Sequence, residues 1–192
     1  MNRMGIDIGT TSISIVLLEK GTGKLTAKET LNHDSFLPDA LPEGKIQDLE
    51  KILAAAIQRI KELIRIYGCP AGIGVTGQMH GMLYVDEEGN AVSPLYPWQD
   101  GRGNLPMKDG RTSVEILKEK MENPGMLASG YGIVIHYYLK ETGEIPEKAV
   151  KMTTISDYVV MKLCGRKSPV IVMKQEYLFI NISGDYVGNH SR

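Results

Sequence analysis

Hydrophobic periodicity changes once, sharply, near residue 45, and that change limits the folds open to this chain. Before it, apolar residues alternate. Met4, Ile6 and Ile8, then Ile13, Ile15 and Leu17, fall on single faces, the period-two pattern of half-buried strands. After it, Ile46, Leu49, Leu53, Ile57, Ile60, Ile64 and Tyr67 recur at three- and four-residue steps. Gln47, Glu50, Lys51, Gln58, Lys61, Glu62 and Arg65 fill the opposite side. The spacing predicts one amphipathic helix over 45–67. Gly68 stands where a left-handed cap belongs, and Pro70 prevents continuation. Strands followed by one long helix disfavour all-β and all-helical folds.

The remaining punctuation fills in the order of elements. Gly9-Thr10-Thr11 joins the first two strands as a hairpin, and Gly21 and Gly23 turn the chain into a third strand over 24–31. The chain is therefore expected to begin as a three-stranded antiparallel meander. Pro38, Pro42 and Gly44 mark 33–44 as a loop. Residues 71–76 read as a short buried strand. Residues 84–86 and 91–92 flank Glu87-Glu88-Gly89-Asn90 as a small hairpin. From Ser93 to Gly110 the chain is rich in Pro and Gly, with Trp98 at its centre. Helices are expected near 113–121, 131–142 and 157–163, with a strand over 152–155. The sum is an α/β or α+β domain with a mixed sheet.

Composition narrows the classes. In 192 residues, 22 Lys and Arg face 23 Asp and Glu, a net charge of -1. The basic excess of a nucleic-acid binder is absent. Apolar runs such as 15–18 are too short to span a bilayer, and the N-terminus lacks the pattern of a secretory leader. Cys69 and Cys164 have no metal or redox spacing. The expectation is a soluble, cytoplasmic protein with neither membrane nor nucleic acid as partner. His33, His136 and His190 have no metal-ligand spacing either. Asn181 and Asn189 match the glycosylation pattern, with nothing else pointing to secretion.

Four segments could carry chemistry. In Gly5-Ile6-Asp7-Ile8-Gly9-Thr10-Thr11, small residues let an anion approach the backbone, and the turn amides and two hydroxyls form an anion nest. Asp7, two residues earlier, would repel phosphate unless a cation intervened, which suggests Mg2+. The residues alone fit equally a glycine turn with a locally capping Asp. Gly72-Ile73-Gly74-Val75-Thr76-Gly77 matches the spacing of a dinucleotide fingerprint, but a helix and Cys69-Pro70 precede it and Gln78-Met79-His80-Gly81 follows, so the context is wrong. Gln78 and His80 offer donors and acceptors to a polyol, with Met79 as an apolar contact. Trp98-Gln99-Asp100-Gly101-Arg102 puts an aromatic face, a carboxylate and a guanidinium within five residues, the groups a sugar site uses. A surface loop at 76–81 and a Trp-anchored loop with an exposed Asp–Arg pair remain open as plain structural readings.

Taken in order, these segments resemble a family. The 5–11 segment resembles the first phosphate motif of the actin, Hsp70 and sugar-kinase superfamily. Gly77-Gln78-Met79-His80-Gly81 and Trp98-Gln99-Asp100-Gly101-Arg102 resemble the FGGY carbohydrate kinases, in particular their xylulokinase and sedoheptulokinase groups. Asp157-Tyr158-Val159-Val160-Met161-Lys162-Leu163-Cys164-Gly165 is similar to a helix of the same lobe. The resemblance spans about residues 4 to 171. It implies the N-terminal lobe of a two-lobed kinase, with a ribonuclease H-like mixed sheet flanked by helices, over 1–171, and an atypical segment over 172–192.

The resemblance also implies roles. Asp7 would assist Mg2+, and Gly9, Thr10 and Thr11 would lie near the phosphates of ATP. Gln78, Met79, His80, Trp98, Asp100 and Arg102 would line the pocket for a ketose, a pentulose or a heptulose. The family transfers the γ-phosphoryl group of ATP to a sugar hydroxyl. Its adenosine pocket and catalytic aspartate lie beyond the stretch matched here. These residues alone are therefore expected to show little or no kinase activity and to self-associate through the face a second lobe would cover. Two other readings remain: a non-catalytic sugar-binding or interaction module of the same fold, and a superfamily ATPase acting on a protein, against which the two polyol segments argue.

Overall fold

The computed structural model describes residues 1–121, 125 and 127–168; the expected segment 172–192, with Asn181 and Asn189, lies outside the described residues. Three antiparallel strands open the chain, as the alternation predicts: β1 (Asn2–Ile8), β2 (Ser12–Glu19) and β3 (Leu25–Asn32). The Gly9 amide closes the first turn by donating to the Ser12 carbonyl (2.9 Å). Short strands β4 (Phe36–Leu37) and β5 (Ile46–Gln47) pair with each other inside the expected loop and at the start of the expected helix. Helix α1 therefore begins later than the periodicity suggests, at Leu49–Tyr67. Asp48 is its N-cap, accepting from the Lys51 amide at 3.0 Å, worth about 1 kcal/mol. Gly68 has φ 80° but ψ 170°, so it ends the helix in an extended glycine-only conformation rather than the expected left-handed one.

Strand β6 (Ile73–Gly77) then runs parallel to β1, completing a four-stranded mixed sheet in the order β3-β2-β1-β6. It is an edge strand and mostly exposed, not the buried strand expected over 71–76. One face of the sheet, carrying Met4, Ile6, Ile8, Ile13, Ile15 and Leu17, packs on Ile52, Ala56, Ile60 and Leu63 of α1. Each such aliphatic side chain contributes about 1.5–3 kcal/mol by leaving water. The other face presents Gly5, Asp7 and Ser14, with Ser14 and Thr30 sharing a cross-strand hydrogen bond of 3.0 Å.

A second layer follows. Strand β7 (Leu83–Val85) pairs antiparallel with β8 (Lys151–Thr153). The expected hairpin over 84–92 forms: Val85 bridges Ala91, the Val92 amide donates to the Tyr84 carbonyl (2.9 Å), the Asp86 amide to the Asn90 carbonyl (2.9 Å) and the Gly89 amide to the Asp86 carbonyl (3.1 Å), while β7 pairs as well with the distant β8. Helices α2 (Ser113–Lys120), α3 (Gly132–Thr142) and α4 (Ile155–Leu163) lie where patterning put them, within two residues at each end. Thr154 caps α4, which claims the end of the expected 152–155 strand. Met82, Tyr84, Tyr96, Ile135, Tyr138 and Leu139 form a second buried cluster between this layer and α3. No helix of the described residues is long and apolar enough to cross a membrane.

Candidate functional site

Parallel pairing decides where the motifs meet. Because β1 and β6 run the same way, with Ile8 opposite Gly77, the turn after β1 and the loop after β6 leave the sheet at one end. Ligands collect at that end of such sheets. The Gln78 amide donates to the Ile8 carbonyl (2.8 Å), so the loop departs in direct contact with the turn. Residues 73–77 form a strand that no helix follows, so the glycine spacing there is not a dinucleotide fingerprint.

The tryptophan loop closes the site from the other side. Isolated bridges Gln47–Leu95 and Met82–Tyr96 hold its start. The Trp98 indole Nε1–H then donates to Thr10 Oγ1 (3.1 Å), and Thr10 Oγ1–H donates to Gln78 Oε1 (3.3 Å). One hydroxyl thus joins three of the four segments that the sequence singled out. Trp98 is 51% and Met79 69% exposed, so both apolar side chains face solvent at the edge of the site.

Asp100 and Arg102 sit differently. They are 0% and 3% exposed. Asp100 Oδ1 accepts from Arg102 Nε (2.8 Å) and from the Arg102 amide (2.9 Å), and Oδ2 accepts from the Lys45 amide (3.2 Å). Arg102 also donates to Asp39 Oδ2 (2.8 Å), and its guanidinium lies 4.5 Å from the centre of the Tyr96 ring. Burial works against the Arg102 charge, but the hydrogen bond and charge of Asp100 outweigh it and raise its pKa. Burial likewise raises the pKa of Tyr96. The pair braces the back of the loop, while Trp98 forms its open lip.

His80 is half-buried and is the single non-glycine residue with positive φ among those described, at 66°. That strain, of order 1–3 kcal/mol, is held by a stack on Tyr131: ring centroids lie 4.0 Å apart and the planes 8° from parallel. Tyr131 is the N-cap of α3. Gly130 precedes it, and a Cβ there would overlap the Trp98 carbonyl, so the approach to α3 is molded to the tryptophan loop. Sequence patterning gave no sign of Tyr131 or of Asp39; each acts through a partner far away in the chain.

Asp7 lies exposed on the open sheet face, opposite Ser14 and Thr76 in register. Among the described residues, no three His, Cys, Asp or Glu side chains form a metal-holding group. Asp7 therefore stands as a single carboxylate at the foot of the Gly9–Thr11 turn, and any ion it could hold would take most of its ligands from outside these side chains.

In sequence and in fold the chain is similar to sugar kinases. The mouse (Mus musculus) sedoheptulokinase is 32% identical over 203 residues, covering 88% of this chain. The xylulose kinase of Staphylococcus xylosus is 24% identical over 167 residues, covering 84%. The chain spans 39% and 34% of those two relatives' lengths. The crystal structure of xylulose kinase from Rhodospirillum rubrum superposes with a TM-score of 0.68 at 20% identity, over 84% of this chain and 34% of that one, which shows the shared fold. Residues 3–184 match the N-terminal domain of the FGGY family of carbohydrate kinases, continuing past Ile171. The chain belongs to the FGGY family of carbohydrate kinases.

Proposed function

We propose that this chain supplies the sugar-binding half of an ATP-dependent ketose kinase acting on a pentulose or heptulose. The observation that carries the reading is the Thr10 hydroxyl, shared by the Trp98 indole and the Gln78 amide: it makes a phosphate-type turn and a polyol-type cradle one site. Relatives named sedoheptulokinase and xylulose kinase support a ketose as the acceptor.

In this reading the Trp98 face and Met79 take the C–H surface of the sugar. His80, held flat on Tyr131, and Gln78 bond its hydroxyls. Asp100 and Arg102 serve the pocket by fixing the loop that carries Trp98. The Gly9 amide is engaged by Ser12, so the groups offered to phosphate are the amides of Thr10 and Thr11 and the Thr11 hydroxyl. Asp7 would hold Mg2+ directly or through water. Such an ion neutralises charge on the transferring group. The two free, exposed cysteines suit a reducing cytoplasm.

Residues 1–192 by themselves bind sugar without transferring phosphate. Asp100, the carboxylate nearest the cradle in sequence, already accepts three hydrogen bonds and is sealed from solvent, so it does not take a proton from a sugar hydroxyl. Losing a general base alone removes about 100- to 10,000-fold in rate. Calorimetric titration with D-xylulose and sedoheptulose tests the binding: heat from either supports it, and heat from neither removes it. An ATP, Mg2+ and ketose assay of the same polypeptide tests the rest, since turnover near about 1 per second contradicts an incomplete site.

A further inference from the structure

Behind the Thr10 hydroxyl lies a buried polar network whose members satisfy one another without a ligand. Gln47, 0% exposed, is its hub. Its Nε2 donates to the Thr10 carbonyl (2.8 Å) and to Ser35 Oγ (3.0 Å), and its Oε1 accepts from Gln78 Nε2 (2.9 Å). Ser35 Oγ is 2.8 Å from His33 Nδ1, and His33 Nε2 is 3.1 Å from the Gly9 carbonyl.

Two backbone carbonyls set the direction of this network at its ends. A carbonyl only accepts, so His33 Nε2 carries the proton for Gly9, and in the neutral ring Nδ1 then accepts from the Ser35 hydroxyl. The Ser35 oxygen then accepts from Gln47. The Thr10 carbonyl orients the Gln47 amide the same way: turning that amide over would set oxygen against the Thr10 carbonyl and nitrogen against the Gln78 nitrogen. Gln78 is oriented in turn, leaving its Oε1 to accept from the Thr10 hydroxyl and leaving that oxygen to accept from Trp98. The chain of donors has one consistent direction from the indole to Gly9. A fully satisfied buried network of this kind sets one geometry, whereas a half-satisfied one is costly.

We infer that Gln47, held by Ser35 and His33, is a positioning residue that locks the Gly9–Thr11 turn and the Gln78–His80 loop into one rigid unit. The segments come from β1–β2, β5 and β6, and Gln47 bonds to the first and the last of them while its own backbone bridges to Leu95, at the start of the tryptophan loop. Its role in ligand binding rests on the proposed ketose site; the mechanical coupling does not.

Gln47→Leu keeps an apolar side chain of similar length and removes all three side-chain bonds. Three quantities are compared with wild type: amide hydrogen exchange at Thr10, Thr11 and Gln78, Trp98 emission, and the Kd for D-xylulose and sedoheptulose. Leu63→Ala, which opens a cavity between α1 and the sheet towards the end away from the Gly9–Thr11 turn, is the control for lost stability. The inference predicts at least tenfold faster exchange at those three amides, shifted Trp98 emission and at least tenfold weaker ketose binding in Gln47→Leu, with all three unchanged in Leu63→Ala. Ser35→Ala, a smaller cut in the same network, moves them in the same direction by less, and decides the matter should Gln47→Leu not fold. Unchanged exchange and emission in Gln47→Leu or Ser35→Ala overturns the coupling even where the wild-type chain binds ketose. If the wild-type chain takes up no ketose, the site reading fails, and exchange and emission still judge the coupling.

Discussion

Trp98 and Arg102 belong to one short loop, yet they meet opposite surroundings. Trp98 is half exposed and tied by a single indole hydrogen bond. Arg102 is sealed between Asp39, Asp100 and the Tyr96 ring. Helix α3 repeats the contrast: Tyr131 at its start stacks on His80 beside the opening, while His136 in its middle bonds the Tyr84 hydroxyl (2.7 Å) inside the core. The difference teaches that a run of chemistry-bearing residues is not one functional unit. Part of it is the surface a ligand would touch, and part is the frame that holds this surface still.

The contrast is sharpest under substitution of the frame. Arg102→Ala strands Asp100 and Asp39, and removing one partner of a buried ion pair costs about 3–5 kcal/mol. Thermal unfolding should fall by roughly 6–20 °C for a chain of this size; a fall within about 2 °C would put Arg102 on the lip rather than in the frame.

Acid should break the frame of α3 next. Burial, with some help from Lys140, lowers the His136 pKa below its ordinary value. The folded chain therefore binds that proton less tightly than the unfolded chain. The contribution is intact above about pH 6.5 and is lost as pH falls towards the folded-state value, at up to about 1.4 kcal/mol per pH unit. Urea denaturation at pH 7.5 and 5.5 measures the loss. His136→Gln, which can still accept from Tyr84, should show less of it, and an equal slope in both proteins would assign the effect elsewhere.

The lip behaves in reverse. Trp98→Ala should change stability by less than about 1 kcal/mol while weakening ketose binding about tenfold, the scale of one aromatic contact. Denaturation and calorimetry on the same sample separate the two effects. Met79→Ala is the smallest change: stability within about 0.5 kcal/mol, as for an exposed site, and a few-fold loss of ketose affinity. A Met79→Ala chain as unstable as Arg102→Ala would erase the distinction between lip and frame.

Much of this arrangement was legible in the sequence, and the illegible part has a common cause. Alternation read out β1 and β2, and the 3.6 period read out α1, because each pattern records a local face against the core. The turn at Gly9-Thr10-Thr11 was visible from its residues, whereas residue chemistry alone left 78–80 and 98–102 open between a sugar site and plain loops, and only the family resemblance singled them out. The small hairpin around Glu87-Glu88-Gly89-Asn90 was legible, but the second pairing of β7 was not, because its partner β8 lies far along the chain and leaves no mark at short range. The burial of Asp100 and Arg102 was hidden for the same reason: Asp39, which completes the brace, sits in a proline-marked loop that looked irregular. Gln47 read as the polar side of a helix, since its position fits that stripe; only the β4–β5 pairing turns it inward.

The central claim is that the turn after β1 and the loops carrying Gln78 and Trp98 form one ligand site. Trp98 is the single tryptophan, so its fluorescence reads that site without a label. Titration with D-xylulose and sedoheptulose should give a saturable change in emission with at least one of them, and Thr10→Val, which removes the shared hydroxyl hydrogen bonds, should weaken it about tenfold. Emission that stays flat with both ketoses in the folded wild-type chain would contradict the account.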